Sequence, residues 1–303
     1  MTTFITRQKL LDTLEGLRQH WLGHPSDALG LPFAEQVELV TSHRGSHRGR
    51  SAVLALLAAD LQPMQHLHLE FSNPVVRADA AMAVASSYFH ATAKCQGQSL
   101  QFGGLLVLAS HDDHVSEIRI QLAWTQGDFS SLKNWTLPPA DRQWQPGDAC
   151  AVIMSELDAP WNRVPNNALV TPVEDDIAQT WFRYAWALDQ ADFALLQHCF
   201  SEDVEAELTP MGRMRGRRKL ITTLKAFRMP WPWMQHCGAP IAIQLEPSEQ
   251  SALLTIGRII PGKTTTADGQ NVYGAHYRIK LSRQPEGQWA ITSMEYLPGW
   301  FTA

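Results

Sequence analysis

The sequence predicts an α+β fold in two similar halves, and three observations lead to this prediction. The chain has 303 residues, which is about the length of two domains. In each half, apolar residues at helical spacing come first and strand-like runs separated by turn signals follow. The two halves also resemble each other in sequence. Helices followed by a run of hairpins predict helices packed on an antiparallel sheet.

The resemblance between the halves is an internal repeat, which indicates two copies of one domain. Residues 37–57 align without a gap to residues 204–224, so that Arg48-Gly-Arg50 coincides with Arg215-Gly-Arg217. Three further matches follow in the same order: Met64-Gln-His66 with Met234-Gln-His236, Gly97-Gln98 with Gly269-Gln270, and Ser110 with Ser282. We therefore predict one domain over residues 1–134 and a second over residues 173–303.

The segment between the copies, residues 135–172, is predicted to be a linker. Its prolines interrupt both helices and central strands; they include Pro160, Pro165 and Pro172. The linker also contains Trp135, Trp144 and Trp161, and it would be unusual for all three to be exposed to water. We expect the linker to pack along the domains.

The second copy shows its elements most clearly. A first helix is predicted from an apolar stripe at helical spacing: Ile177, Trp181, Tyr184, Ala185 and Leu188. A short second helix begins after Asp192, which is a plausible N-cap, and a third spans residues 217–227. Four strands are predicted after Pro240, at residues 241–245, 251–260, 272–282 and 288–297, because turn signals separate them.

Composition excludes several classes of protein. The formal net charge is −5, whereas a general nucleic-acid binder has a basic surplus. No apolar run is long enough to span a bilayer, and the N-terminus lacks the pattern of a signal peptide. The four cysteines are far apart and form no Cys-x-x-Cys pair. We therefore expect a cytoplasmic globular protein with reduced thiols that binds neither nucleic acid nor membrane.

The second copy resembles a known family. The line from Arg183 to Phe193, Phe200-Ser-Glu-Asp203, the Arg215-Gly-Arg217 turn, His236 and a final strand containing Trp289 resemble the SnoaL-like branch of the NTF2-like superfamily. The resemblance covers roughly residues 173–300. The first copy resembles the family more weakly, through His66, Ser72-Asn-Pro74 and the Arg48-Gly-Arg50 turn.

This resemblance implies two cone-shaped domains, each with a curved sheet wrapped around helices and a pocket at the open end. Members of the superfamily include ketosteroid isomerases, scytalone-type dehydratases, polyketide cyclases and non-catalytic binding or dimerisation modules. Its enzymes usually need no cofactor, so none is expected here. The outer face of the sheet often pairs two domains, which implies an intrachain pseudo-dimer and leaves further homodimerisation open.

The resemblance also implies candidate catalytic residues. Tyr184 aligns with the oxyanion-donating tyrosine of the isomerases, and His276 falls where they have a protonated aspartic acid. His236 falls near a histidine of the dehydratase type, and Asp189 follows the helical stripe. The known machinery is incomplete, because the isomerase base falls at Leu208 and the dehydratase aspartate near Trp186.

Each candidate has a structural alternative. Tyr184 is also consistent with a core tyrosine, Asp189 with a turn or cap, and His236 with a cap of the third helix. His276 alternates with Arg278 and Lys280, which is typical of a solvated strand face. The predicted ligand-binding residues are Trp181, Trp231, Trp233, Met234, Tyr273, Met294 and Tyr296. Among these, the group at 231–234 is equally consistent with closing the core.

A metal site is not predicted, although nine of the twelve histidines precede residue 115. Their spacing does not bring three or four ligands together. In the first copy, Gln101 and Gly104 stand where the second has Tyr273 and His276, so any activity is expected in the second copy. The leading hypothesis is a pocket in residues 173–303 for a small, largely apolar molecule, with cofactor-free dehydration, isomerisation or cyclisation. The alternative is a non-catalytic binding or association module.

Overall fold

The computed structural model describes residues 6–24, 30–148 and 153–303. The chain divides into two compact units, residues 1–170 and 171–303. Within the described residues, none of the helices combines the length and the apolar character that a membrane crossing requires. The six strands of the two sheets follow the same order, and each unit is described in turn.

The N-terminal unit packs two helices against a six-stranded sheet. Its main elements are α1 (Arg7–Trp21), β1 (Phe33–Thr41), β2 (Gly45–Arg48), α2 (Arg50–Asp60), β3 (Gln65–Ala78), β4 (Ala83–Cys95), β5 (Gln98–His111) and β6 (His114–Gln126). The strand order is β2-β1-β6-β5-β4-β3. Strands β1 and β6 are parallel, and every other neighbouring pair is antiparallel.

Aromatic side chains fill the interior of the N-terminal unit. Trp21 meets Phe89 at a ring distance of 5.2 Å, and Phe102 meets Trp135 at 5.4 Å. The segment after β6 contributes to this core, because Phe129 and Trp135 are both buried in it. The chain that leaves the sheet therefore folds back into the interior of its own unit.

The segment after residue 152 also packs on the N-terminal unit. It contains a 3₁₀ turn (Glu156–Asp158) and the short helix α3 (Pro160–Arg163). Arg163 Nη2 donates to Glu117 Oε2 at 2.7 Å, and Arg77 Nε donates to the Val164 carbonyl at 2.7 Å. Of the three tryptophans of the predicted linker, residues 135–172, Trp135 and Trp161 are buried, whereas Trp144 is 42% exposed.

The C-terminal unit repeats this arrangement. Its elements are α4 (Val173–Asp189), α5 (Phe193–Gln197), β7 (Phe200–Leu208), β8 (Gly212–Arg215), α6 (Arg217–Arg228), β9 (Gly238–Leu245), β10 (Ser251–Ile259), β11 (Val272–Arg283) and β12 (Trp289–Thr302). The strand order is β8-β7-β12-β11-β10-β9.

The predicted α+β class with two similar domains is confirmed, but each sheet is mixed and not wholly antiparallel. In the C-terminal unit β7 pairs with β12 in parallel, and the remaining pairs are antiparallel. The first long strand of each unit lies beside the last one and runs in the same direction. Such a pairing joins strands that are distant in sequence, so the local turn signals did not indicate it.

The predicted N-cap of the short helix α5 is confirmed. Asp192 Oδ1 accepts a hydrogen bond from the Leu195 amide at 2.9 Å, and the side chain is buried. Replacing Asp192 by alanine is expected to lower the free energy of unfolding by about 1–2 kcal/mol, because a helix-terminal amide loses its acceptor. Urea unfolding checks this value. Asp203→Ala, at an exposed position of β7, is the control and is expected to change it by less than about 0.5 kcal/mol.

Candidate functional site

The candidate site of the C-terminal unit begins at the end of α4. Residues 177–189 of this helix are all buried, as expected for a helix surrounded by protein. The last helical residue is Asp189. Arg228, at the end of α6, donates to the carbonyl oxygens of Leu188 and Asp189 at 3.2 and 2.9 Å and to that of Trp231 at 2.7 Å. These bonds fix the end of α4 against the segment that follows α6.

That segment brings His236 onto the Asp189 carboxylate. His236 Nδ1 lies 2.5 Å from Asp189 Oδ1, and the His236 amide donates to Asp189 Oδ2 at 2.7 Å. The side chains are only 6% and 1% exposed. With Nδ1 held by the carboxylate, the ring has a fixed orientation, and proton exchange with a substrate would take place at Nε2.

The imidazole of this dyad is neutral near pH 7. Burial lowers the pKa of His236, and the positive charges of Arg258 and Arg228 lower it further. Asp189 acts in the opposite direction, but the net shift is downward. A neutral imidazole beside a carboxylate is able to accept a proton, which is the state that a general base requires.

Two buried tyrosines lie beside the dyad. The ring of Tyr184 is 6.2 Å from that of His236 and 6.4 Å from that of Tyr277. Burial raises the pKa of Tyr184 well above its ordinary value, and it raises the pKa of Tyr277 to about 12. Both phenols therefore stay protonated at neutral pH and are able to donate hydrogen bonds.

Arg258 adds a positive charge to the same side of the sheet. It lies on the same face of β10 as Leu254 and Ile256, which face the core, because the three residues are spaced two apart. It is paired in register with Ala275, whose neighbour on that face of β11 is Tyr277. Its Nη2 donates to the Gln235 carbonyl at 3.1 Å.

Three further predicted residues lie near this cluster. The ring of Trp181 is 5.8 Å from that of Tyr277 and occupies the space into which a side chain at Gly238 would project. Tyr296 faces Tyr277 across the strands at a ring distance of 5.0 Å. Met294 is buried two residues before Tyr296 on β12, so the two share a strand face.

The tryptophans after α6 lie at the surface. Trp231 is 50% exposed and contacts Phe227, and Trp233 is 37% exposed. Met234 is half-buried. These residues precede His236 directly in the chain, so they border the segment that carries the dyad.

The structure separates His276 from the cluster. His276 alternates with the buried Ala275 and Tyr277 and therefore points to the opposite face of β11. There its ring lies 4.5 Å from that of Phe301, on which Tyr273 also stacks at 5.1 Å. Of the four predicted catalytic residues, the structure brings together Tyr184, Asp189 and His236.

Sequence reasoning missed Tyr277 and Arg258. Both could have been found from the two-residue alternation of their strands, which places them on the core-facing side. Tyr277 lies in the apolar alternation of β11, and Arg258 ends that of β10, where a guanidinium is unusual. In the part of the chain that the structure describes, no three His, Cys, Asp or Glu side chains come close enough to hold a metal ion.

Comparison with known proteins identifies the C-terminal region. Residues 171–295 match the model of the SnoaL-like domain family. No curated protein matches the chain. Among solved structures, it is similar to a proposed scytalone dehydratase from Novosphingobium aromaticivorans, with 22% identity over 43% of this chain and 87% of the other and a TM-score of 0.35.

Two other solved structures are similar to this chain. One is a proposed dehydratase of the NTF2-like family from Streptomyces avermitilis, with 16% identity over 42% of this chain and 95% of the other and a TM-score of 0.32. The second is a hexachlorocyclohexane dehydrochlorinase from Novosphingobium barchaimii, with 13% identity, coverage of 40% and 89%, and a TM-score of 0.36. The match of residues 171–295 to the SnoaL-like family model confirms the resemblance predicted from the sequence of the second copy.

Proposed function

We propose that the C-terminal domain binds a small, largely apolar molecule beside His236 and catalyses proton transfer on it without a cofactor. The reaction class is dehydration, isomerisation or cyclisation. The observation that carries this proposal is the buried Asp189–His236 pair next to the Tyr184–Tyr277 pair. Burying titratable groups costs free energy, and clusters of such groups with perturbed pKa values are found preferentially at functional sites.

Each residue has a chemical role in this proposal. His236 accepts a proton from carbon at Nε2, and Asp189 positions the ring and stabilises the imidazolium that forms. Tyr184 donates a hydrogen bond to the substrate oxygen on which negative charge develops. The ring of Tyr277 packs against that of Tyr184, at a distance of 6.4 Å, and helps to fix its orientation. Asp189 and Tyr277 are therefore positioning residues.

The second candidate function is a non-catalytic ligand-binding or association module. The contacts of Trp181 with Tyr184 and Tyr277, at ring distances of 6.4 and 5.8 Å, favour it, because such packing is typical of a structural core without catalytic groups. In that case His236 and Asp189 form a structural pair that joins the end of α4 to the segment after α6.

Deuterium exchange distinguishes the two candidates without knowledge of the product. Wild-type protein is first screened by thermal shift against steroid-like, polyketide-like and small aromatic ketones. Stabilising compounds are then incubated with it in D₂O, and NMR follows exchange at their acidic C–H positions. We expect exchange above the buffer rate with wild type and with His276→Gln, and exchange near the buffer rate with His236→Gln.

His276→Gln is the matched control, because it removes a histidine from the other face of the sheet. Saturable binding without exchange in any compound would support the binding module and contradict catalysis. Equal exchange by wild type and His236→Gln would exclude His236 as the base. A panel with neither binding nor exchange would favour an association module.

A further inference from the structure

Arg258 has more hydrogen-bond donors than the protein uses. In the part of the chain that the structure describes, it makes one hydrogen bond, from Nη2 to the Gln235 carbonyl, and no ion pair within 4.0 Å. A guanidinium has five N–H donors in a planar fork. Arg258 is half-buried, and its remaining guanidinium nitrogens are accessible to water or to a ligand.

The charges around Arg258 do not balance. Asp189 carries one negative charge, whereas Arg228 and Arg258 each carry a positive one, and His236 and the two tyrosines are neutral near pH 7. Arg228 is engaged by the carbonyl oxygens at the end of α4. Among these groups one positive charge is left over, and it lies on the side chain with unused donors. A partly buried charge is more stable with a partner of opposite sign.

The guanidinium also lies beside the reacting groups. Its Nη2 bonds to the carbonyl of Gln235, which directly precedes His236. Arg258 is also paired with Ala275, two residues before Tyr277 on β11. Its positive charge lowers the pKa of His236, and it opposes the upward shifts of the pKa values of Tyr184 and Tyr277. A ligand atom bound to Arg258 would therefore lie near both the imidazole and the phenols. The arrangement provides a cation at one point and proton-transfer groups beside it.

We propose that Arg258 binds the carboxylate of the substrate, so that the C-terminal site takes a small carboxylic acid with an apolar ring or chain. The planar fork of arginine matches the two oxygens of a carboxylate, and such charge-assisted pairs are about twice as strong as neutral hydrogen bonds. This inference rests on the proposed function for the location of the site. It adds the chemical class of the ligand.

Matched acids and amides test this assignment. The probes are benzoate, cinnamate and 1-naphthoate, each with its primary amide, which has nearly the same shape but no charge. Calorimetric titration of wild type is expected to give Kd values about tenfold or more lower for the acids than for the amides. Arg258→Gln is expected to raise the Kd of the acids about tenfold and to change that of the amides less than about twofold.

Arg278→Gln is the matched control. It removes the same charge from an exposed position on the opposite face of β11, and it is expected to leave all Kd values unchanged. Arg258→Lys keeps the charge without the fork and is expected to give intermediate Kd values for the acids. The comparison of acids with amides in wild type needs no variant, so a folding defect in Arg258→Gln does not affect it.

The inference is overturned if none of the acids binds, or if wild type binds the acids no more tightly than the amides. It is also overturned if Arg278→Gln raises the Kd of the acids as much as Arg258→Gln does. These outcomes are separable from failure of the proposed function. Acid binding through Arg258 without deuterium exchange would contradict catalysis only. Exchange of neutral ketones without a preference for acids would contradict the carboxylate site only.

Discussion

Replacing Asp189 by asparagine is expected to reduce the rate of proton exchange at the C-terminal site by about 10²- to 10⁴-fold. The carboxylate holds the His236 ring at Nδ1 and the His236 amide through its second oxygen. An asparagine amide has only one acceptor oxygen, and its NH₂ group favours the wrong tautomer when it faces Nδ1. The rate is measured by NMR in D₂O, on the compound that wild type exchanges fastest.

The pH dependence separates this positioning role from a general loss of structure. Because the folded-state pKa of His236 is lowered, wild-type activity is expected to persist below pH 6.5 and to fall only as the imidazole becomes protonated. Asp189 raises that pKa, so its removal is expected to move the acid limb of the profile to still lower pH. Rates are recorded from about pH 4 to 8.

Asp203→Asn on β7 is the control for the change in charge, because its side chain is exposed and it is expected to keep the wild-type profile. An Asp189→Asn protein with the wild-type rate and profile would show that the dyad has no part in proton transfer. A lowered rate with an unshifted acid limb would show that another group determines the pH dependence.

The sequence predicted the fold well because the relevant signals are local. The helical stripe of α4, the cap at Asp192 and the alternation on β11 each depend on residues within a few positions of one another. The parallel pairing of β7 with β12 depends on strands nearly a hundred residues apart, and no local pattern encodes it. The internal repeat indicated two domains because it compares whole segments.

The candidate site was predicted in part for the same reason. Asp189 and His236 were named separately, but their contact joins positions 47 apart in the chain, and only the fold brings them together. His276 was predicted to be catalytic because of the resemblance, although its alternation with Arg278 and Lys280 already indicated a solvated face. The alternation of β11 therefore gave the orientation of His276 that the structure shows, whereas the distant resemblance did not.

The two copies differ in the charge of the residue that ends the helix after the second strand. In the N-terminal unit α2 ends at Asp60, whereas in the C-terminal unit the equivalent helix, α6, ends at Arg228. Arg228 donates to carbonyl oxygens, but Asp60 accepts from three side-chain donors. Both residues join the end of their helix to neighbouring segments, with opposite chemistry. The two copies therefore share backbone topology without sharing the groups that hold it.

Asp60 accepts hydrogen bonds from Trp21 Nε1 at 3.0 Å, His43 Nε2 at 2.8 Å and Arg44 Nη1 at 2.9 Å, and it is almost fully buried. Burial alone would raise its pKa, but these three partners outweigh burial and lower it. Their stabilising effect is therefore fully present well above the ordinary carboxyl pKa of 3.8 and is lost as the pH falls through the lowered pKa.

Asp60→Ala is accordingly expected to lower the free energy of unfolding at pH 7 by about 3–5 kcal/mol, because it leaves an indole N–H, an imidazole and a guanidinium without their acceptor in and around an aromatic core. Urea unfolding followed by near-ultraviolet circular dichroism measures the change, since Trp21 lies in that core.

The control is Asp113→Ala, which removes a carboxylate that lies 3.5 Å from Lys9 at the surface. It is expected to lower the free energy of unfolding by less than about 1 kcal/mol. Equal effects of the two substitutions would mean that the Asp60 network contributes no more than a surface ion pair. A large effect of Asp60→Ala alone would show that this carboxylate holds the end of α2 to the core, in the place where the C-terminal unit uses an arginine.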